Sequence, residues 1–196
     1  MTIVDASLNA LLLSIPALIY ALVVRLRHKL DLFGIVQRLG LGPAPRRFLG
    51  IALLASIPVG AVAVLVSSRT SGFEGSMLAP FLNQPPSAVL LAQAFFYAFV
   101  ATGIPEELLF RGLIAGALFR AFAFWPANVA QAIIFTVPHL LILLVNTTLW
   151  PIAIALPLGL GLFLGWLRKA GASIWPSAWV HAMLNFTGAI WVMNWS

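Results

Sequence analysis

Two glutamates stand side by side in Ile104-Pro105-Glu106-Glu107-Leu108-Leu109-Phe110-Arg111-Gly112, inside a long apolar run of a chain with only five acidic residues. A charged side chain at the centre of a membrane-spanning helix costs about 2.5–3.5 kcal/mol even on the lenient insertion scale. Residues kept there are functional candidates with partners to be named. Arg111 follows Glu107 by four positions, so the two share a helix face and can pair. Glu106 is rotated by about 100° from Glu107 and has no partner in its own segment. One carboxylate reads as support, the other as available for chemistry.

Two of the three histidines, His139 and His181, also lie inside apolar runs, whereas His28 belongs to a basic loop. Phe135 and His139 are four apart and share a face, with Pro138 freeing the carbonyl of Ile134 beside the imidazole. His181 and Asn185 are likewise one turn apart. Glu106 lies 14 residues before Arg120, and His139 lies 14 residues after Trp125. At 1.5 Å per residue each is about 21 Å from the same end of its helix. Asn185, 13 residues into the last apolar run, falls at a similar level.

A desolvated carboxylate suits the role of general base for water. A neutral imidazole beside it can share the water's proton and orient its lone pair. A second imidazole and a carboxamide one turn apart can donate two hydrogen bonds to a tetrahedral oxyanion. These parts describe hydrolysis of a peptide bond by activated water, without a covalent intermediate. One carboxylate and two histidines are also potential zinc or iron ligands. The spacing contains no HExxH, however, and the histidines fall on different helices, so no metal and no cofactor is expected. The only aspartates, Asp5 and Asp31, lie outside the span centres, which disfavours a two-aspartate site. No serine sits near a histidine in a tight glycine turn, and the absence of cysteine removes thiol nucleophiles, thiolate zinc sites and disulfides.

The elements that must position these groups are membrane helices. The 196 residues are 62% hydrophobic and 8% charged, with a mean hydropathy of +1.03. That composition excludes a soluble domain and predicts an all-α, polytopic helical bundle of about six transmembrane helices. Spans are expected over 6–25, with a kink at Pro16, and over 48–67, 126–145, 149–167 and 172–195. The run 88–123 is too long for one ordinary span, and Pro105 is expected to break it. It reads as one kinked helix or as a span joined to a second helix near Arg120. Residues 26–47 read as a basic loop and 68–87 as an exposed one. The Gly161-xxx-Gly165 pattern reads as close helix packing, and Trp175, Trp179, Trp191 and Trp195 suit the interfaces. The first apolar run reads as a retained span and not as a signal peptide.

The net charge of +6 does not signal nucleic acid, because the basic residues cluster in loops between spans. Arg25, Arg27, Lys29, Arg38, Arg46, Arg47, Arg120, Arg168 and Lys169, nine of the eleven, fall on one side. The positive-inside rule puts that side in the cytosol and both termini outside. Membrane lipid is then a constant partner.

Glu106-Glu107-xxx-Arg111, Phe135-xxx-His139 and His181-xxx-Asn185 resemble the three ordered motifs of the CPBP intramembrane proteases. That family includes the type II CAAX prenyl endopeptidases and the Abi bacteriocin-processing or immunity proteins. The resemblance covers residues 88–196 as a catalytic core; residues 1–87, two N-terminal transmembrane helices and loops, carry no motif. It implies that Glu106 and His139 activate water, that His181 and Asn185 form the oxyanion hole, and that Glu107, Arg111 and Phe135 support them. It also implies a CAAX-type or other membrane-anchored peptide substrate, lipidated or not, and a site in the plasma or inner membrane opening to the cytosol. Two rival readings keep the same residues: a non-catalytic scaffold or bacteriocin-immunity protein, and a proton-coupled carrier, for which the sequence shows no internal repeat.

Overall fold

The computed structural model describes residues 3–69, 73, 76–144 and 146–194. Trp195, Val145 and part of the 68–87 loop lie outside them. The described chain is all-α: α1 Ile3–His28, α2 Leu32–Leu39, α3 Arg46–Arg69, α4 Ala88–Ala121, α5 Phe124–Leu144, α6 Pro151–Gly171 and α7 Trp175–Trp191. Five of these, all but α2 and α7, are long and apolar enough to cross a membrane. With 17 residues, α7 reaches the lower limit for a span. Leu11, Leu18, Leu22, Leu54 and Ile57 stand exposed on α1 and α3, an apolar perimeter suited to lipid.

The basic segment between α1 and α3 is not a plain loop. Asp31 caps α2, its Oδ1 accepting from the Gly34 N–H at 2.8 Å, and Gly40 ends the helix at φ 68°. The αL ending suits glycine, which has no Cβ to clash. The turn is docked onto the entry to α7. Ile174 N–H donates to Gly40 O (2.8 Å), Ser173 Oγ to Gly42 O (2.7 Å) and Trp175 Nε1 to Leu41 O (3.0 Å). The cap residues flanking Leu32–Leu39 were the available signal; the charge density of the segment outweighed them in a reading by composition.

Pro105 does not break α4 either. The helix runs on through two π-helical stretches, Tyr97–Gly103 and Leu108–Ile114, on either side of a short α turn, Ile104–Glu107. In the wider turns Ile104 N–H reaches Phe99 O and Ala115 N–H reaches Phe110 O, five residues back. The carbonyl of Ala101, four residues before the proline, accepts from Asn9 Nδ2 of α1 at 2.7 Å. A buried carbonyl deprived of its helical donor is thereby satisfied from another helix, as an apolar medium requires.

Helix α3 packs along α7, and α5 along α6. Phe48, Leu160, Leu164, Leu167, Val180 and Leu184 form the core between α3, α6 and α7. Between α5 and α6 the contact is also polar. Gln131 Nε2 donates to Gly161 O at 2.7 Å and Asn128 Nδ2 to Leu162 O at 3.0 Å. Both amides lean over the Gly161–Gly165 face, where side chains would leave them no room. Gly103 brings α4 against α7: a Cβ there would stand 2.6 Å from Ala98 O and 2.9 Å from Ala182 Cβ. Ala182 adjoins His181, so this contact sets the distance between the glutamates and that imidazole. Gly103→Ala must push backbone or helix aside. It is expected to cost about 1–3 kcal/mol of stability, read as a lower midpoint on thermal denaturation in detergent.

Candidate functional site

Glu107 and Arg111 are entirely buried and joined by a 2.7 Å bond from Nη1 to Oε1. The same Oε1 lies 3.0 Å from His181 Nδ1 on α7. A carboxylate oxygen already accepting from a guanidinium takes a further donor, so His181 carries a proton on Nδ1. Its other nitrogen, Nε2, stands 3.8 Å from Oε2 of Glu106. The two glutamates thus hold opposite ends of one imidazole. Glu106 is the less enclosed, its side chain 18% exposed against 0% for Glu107.

Phe135 is the packing centre of this cluster. The Arg111 guanidinium carbon lies 4.1 Å from its ring centroid, a cation–π contact. His181 meets the ring edge-on at 5.6 Å between centroids, and His139 lies at 4.9 Å with its plane tilted by 59°. Phe110 closes a further side at 5.0 Å. The aromatic face covers the guanidinium atoms that its ion pair leaves over; Arg111 Nε and Nη2 and Glu107 Oε2 have no hydrogen-bond partner among the described residues.

His139 owes its orientation to the proline before it. The α-helical part of α5 ends at Thr136, and Val137–Leu144 continues as 3₁₀ helix. A 3₁₀ turn pairs each N–H with the third carbonyl back, which releases the fourth. For His139 that fourth carbonyl is Phe135 O, and it lies 2.9 Å from the ring's Nδ1. A carbonyl only accepts, so Nδ1 carries the proton and Nε2 keeps a lone pair.

Glu106, His139, His181 and Asn185 all line one cavity of about 550 Å³. Its remaining wall is mostly apolar, including Leu13, Phe110, Leu156 and Leu184. Size and lining are those of a ligand site: a concave apolar space with few, convergent polar groups. Residues of the 68–87 segment, Phe73, Ser76, Met77 and Leu78, form part of its wall. Among the polar residues of the cavity that were not singled out in the sequence, two make hydrogen bonds that shape the site. Thr102 accepts from Asn185 Nδ2 at 2.9 Å, and Asn9 holds the Ala101 carbonyl. The signal for Thr102 was its place four residues before Glu106. Asn9 had none beyond being an amide in an apolar span. No three His, Cys, Asp or Glu side chains among the described residues converge as a metal-binding group.

Fold and site together define a polytopic membrane protein whose helices wall a polar centre off from lipid. The chain belongs to the type II CAAX prenyl endopeptidase Rce1-like family, whose model matches residues 88–187, just over half of its length. The family is one of CAAX-type intramembrane proteases, and the match runs from the start of α4 to Thr187 in α7. Neither curated proteins nor solved structures give a match.

The Glu107 cluster is costly to break because its members compensate one another away from water. Glu107→Ala leaves Arg111 buried and unpaired, at about 3–5 kcal/mol. The expected result is loss of folded, monodisperse protein on purification. Glu107→Gln keeps an acceptor for both donors and should lose less on the same chromatogram.

Proposed function

We propose that this protein is an intramembrane endopeptidase that hydrolyses a peptide bond with water activated by Glu106 and His139. The observation that carries the reading is that both groups, with His181 and Asn185, line the same mostly apolar cavity. A water there gives one proton to the Glu106 carboxylate while the free Nε2 of His139 orients it. Its oxygen adds to the scissile carbonyl, and the carbonyl oxygen becomes an oxyanion. An amide N–H of Asn185 and Nε2–H of His181 are the donors for that oxygen. With Nδ1–H committed to Glu107, His181 donates from Nε2 only as the doubly protonated ring, and Glu107 then lies beside the positive charge. Collapse of the intermediate breaks the C–N bond. The proton held by Glu106 passes to the leaving amine, so a carboxylic acid and an amine are released with the carboxylate restored.

The substrate on this reading is a membrane-anchored peptide, of CAAX type or otherwise, because an apolar cavity between spans favours a chain delivered from the bilayer. The test is cleavage of farnesylated and transmembrane-anchored peptides by purified protein, with and without chelator. Wild type is expected to cleave in both lanes. Glu106→Gln and His139→Ala are expected to fall by at least about 10²-fold, the lower range for removing a catalytic acid or base. Full activity in Glu106→Gln would sink the mechanism, and loss with chelator would assign the water to a metal.

Orientation belongs to the same reading. The basic clusters lie at one end of the bundle, while Met77, Leu78 and Leu149 wall the cavity toward the other. The charge distribution, with nine of eleven basic residues on one side, favours a cavity facing away from the cytosol. That sets it against the cytosolic opening implied by the family resemblance. The chain has no cysteine, so single substitutions report cleanly. Met77→Cys, at a position 45% exposed, should react with a membrane-impermeant maleimide on intact cells, and Arg27→Cys only after permeabilisation. The reverse pattern would establish a cytosolic opening.

A further inference from the structure

Asn185 has an amide whose two ends are opposite in kind, and only one of them can serve an oxyanion. Turned one way it presents N–H groups to the cavity; turned the other it presents a carbonyl that repels negative charge. Its neighbour decides. Thr102 Oγ1, buried on α4, lies 3.0 Å from Tyr97 O and 3.2 Å from Ala98 O, carbonyls five and four residues back along the π-helical stretch. Both oxygens only accept, so the single hydroxyl proton of Thr102 is committed to the backbone. What Thr102 turns toward Asn185, 2.9 Å away, is therefore a lone pair. It can receive Nδ2–H and cannot serve the Asn185 carbonyl.

We infer that Thr102 is a positioning residue that fixes the side-chain amide of Asn185, so that its second N–H is held for the oxyanion. The inference rests on the proposed hydrolysis for its role in turnover, while the orientation itself stands on the hydrogen bonds alone. The π turn is part of the device. In an α-helix a threonine hydroxyl reaches back to the third or fourth carbonyl; here the wider turn offers the fifth, Tyr97 O, beside Ala98 O. With two acceptors behind it, the hydroxyl has no reason to rotate toward Asn185. Valine matches threonine in shape and lacks the lone pair, which separates orientation from packing.

Two measurements test it. In protein labelled with ¹⁵N-asparagine, the Asn185 side-chain signal is assigned by its loss in Asn185→Ala. One of its two protons should exchange slowly with deuterium in wild type and in Thr102→Ser. Both should exchange fast in Thr102→Val. Two fast protons in wild type, or an unchanged pair in Thr102→Val, would overturn the inference whether or not a substrate is known. In turnover, Thr102→Val should lower kcat about tenfold, the worth of one hydrogen bond, with KM unchanged. Thr102→Ser should restore most of the loss, and Thr102→Val should add nothing in an Asn185→Ala background. Equal losses in both backgrounds would make Thr102 a packing residue. An enzyme that cleaves nothing would instead count against the hydrolytic reading, leaving the exchange result to judge the amide.

Discussion

An ion pair without access to water, Glu107 with Arg111, governs the middle of this protein. Burying either charge alone costs several kcal/mol, so neither residue can be placed without the other. Their bond leaves Oε1 free to take a second donor, and that donor is His181 from another helix. The register of α7 against α4 is therefore fixed electrostatically at one point and sterically at another, where Gly103 meets Ala182. Phe135 of α5 then covers the guanidinium and touches both imidazoles. Three helices converge on one pair of charges.

Around that centre, the backbones of α4 and α5 depart from regular helix beside the residues that face the cavity, while α7 carries His181 and Asn185 on unbroken α-helix. Two π stretches flank the glutamates, and a 3₁₀ stretch carries His139. Side chains take up several carbonyls in and beside these stretches: Ala101 O, which Pro105 leaves without its helical donor, takes Asn9, Phe135 O takes His139, and Tyr97 O takes Thr102. In lipid an unpaired carbonyl has no water to turn to. The irregular turns thus double as acceptors that set the orientation of the side chains lining the cavity. Helix α1, which carries no ionisable residue at its centre, contributes to this through a single amide.

The division between Glu106 and Glu107 follows from the same constraint. Adjacent on the helix, they point about 100° apart, so one can be absorbed into the ion pair while the other faces the cavity. Sharing His181 between them couples the two environments: Glu107 holds Nδ1, and Glu106 stands 3.8 Å from Nε2. A family of CAAX-type intramembrane proteases, to which the chain belongs, needs such a polar centre inside a surface that lipid tolerates. The perimeter supplies that surface with exposed leucines and isoleucines, and the small-residue face of α6 lets α5 come close enough for Asn128 and Gln131 to bond across it.

By itself the sequence determined the helical membrane architecture and pointed to a common level for its polar residues. Composition decides the solvent, and a rise of 1.5 Å per residue sets Glu106, His139 and Asn185 at comparable levels to within a turn or two; all three line the same cavity. The pairing of Glu107 with Arg111 was legible for the same reason, since it lies within one turn. Boundaries were less so: the caps at Asp31 and Gly40 mark α2 inside a stretch whose charges dominate its composition, and Pro105 suggested a break that the π turns absorb. Only the tertiary structure decided which imidazole each glutamate meets and what turns Asn185. A π turn carries extra backbone per turn and shifts everything beyond it around the axis, so a helical wheel drawn from the sequence loses its phase at Tyr97. Partners on other helices depend on that phase and on contacts such as Gly103 with Ala182, neither of which spacing along the chain contains.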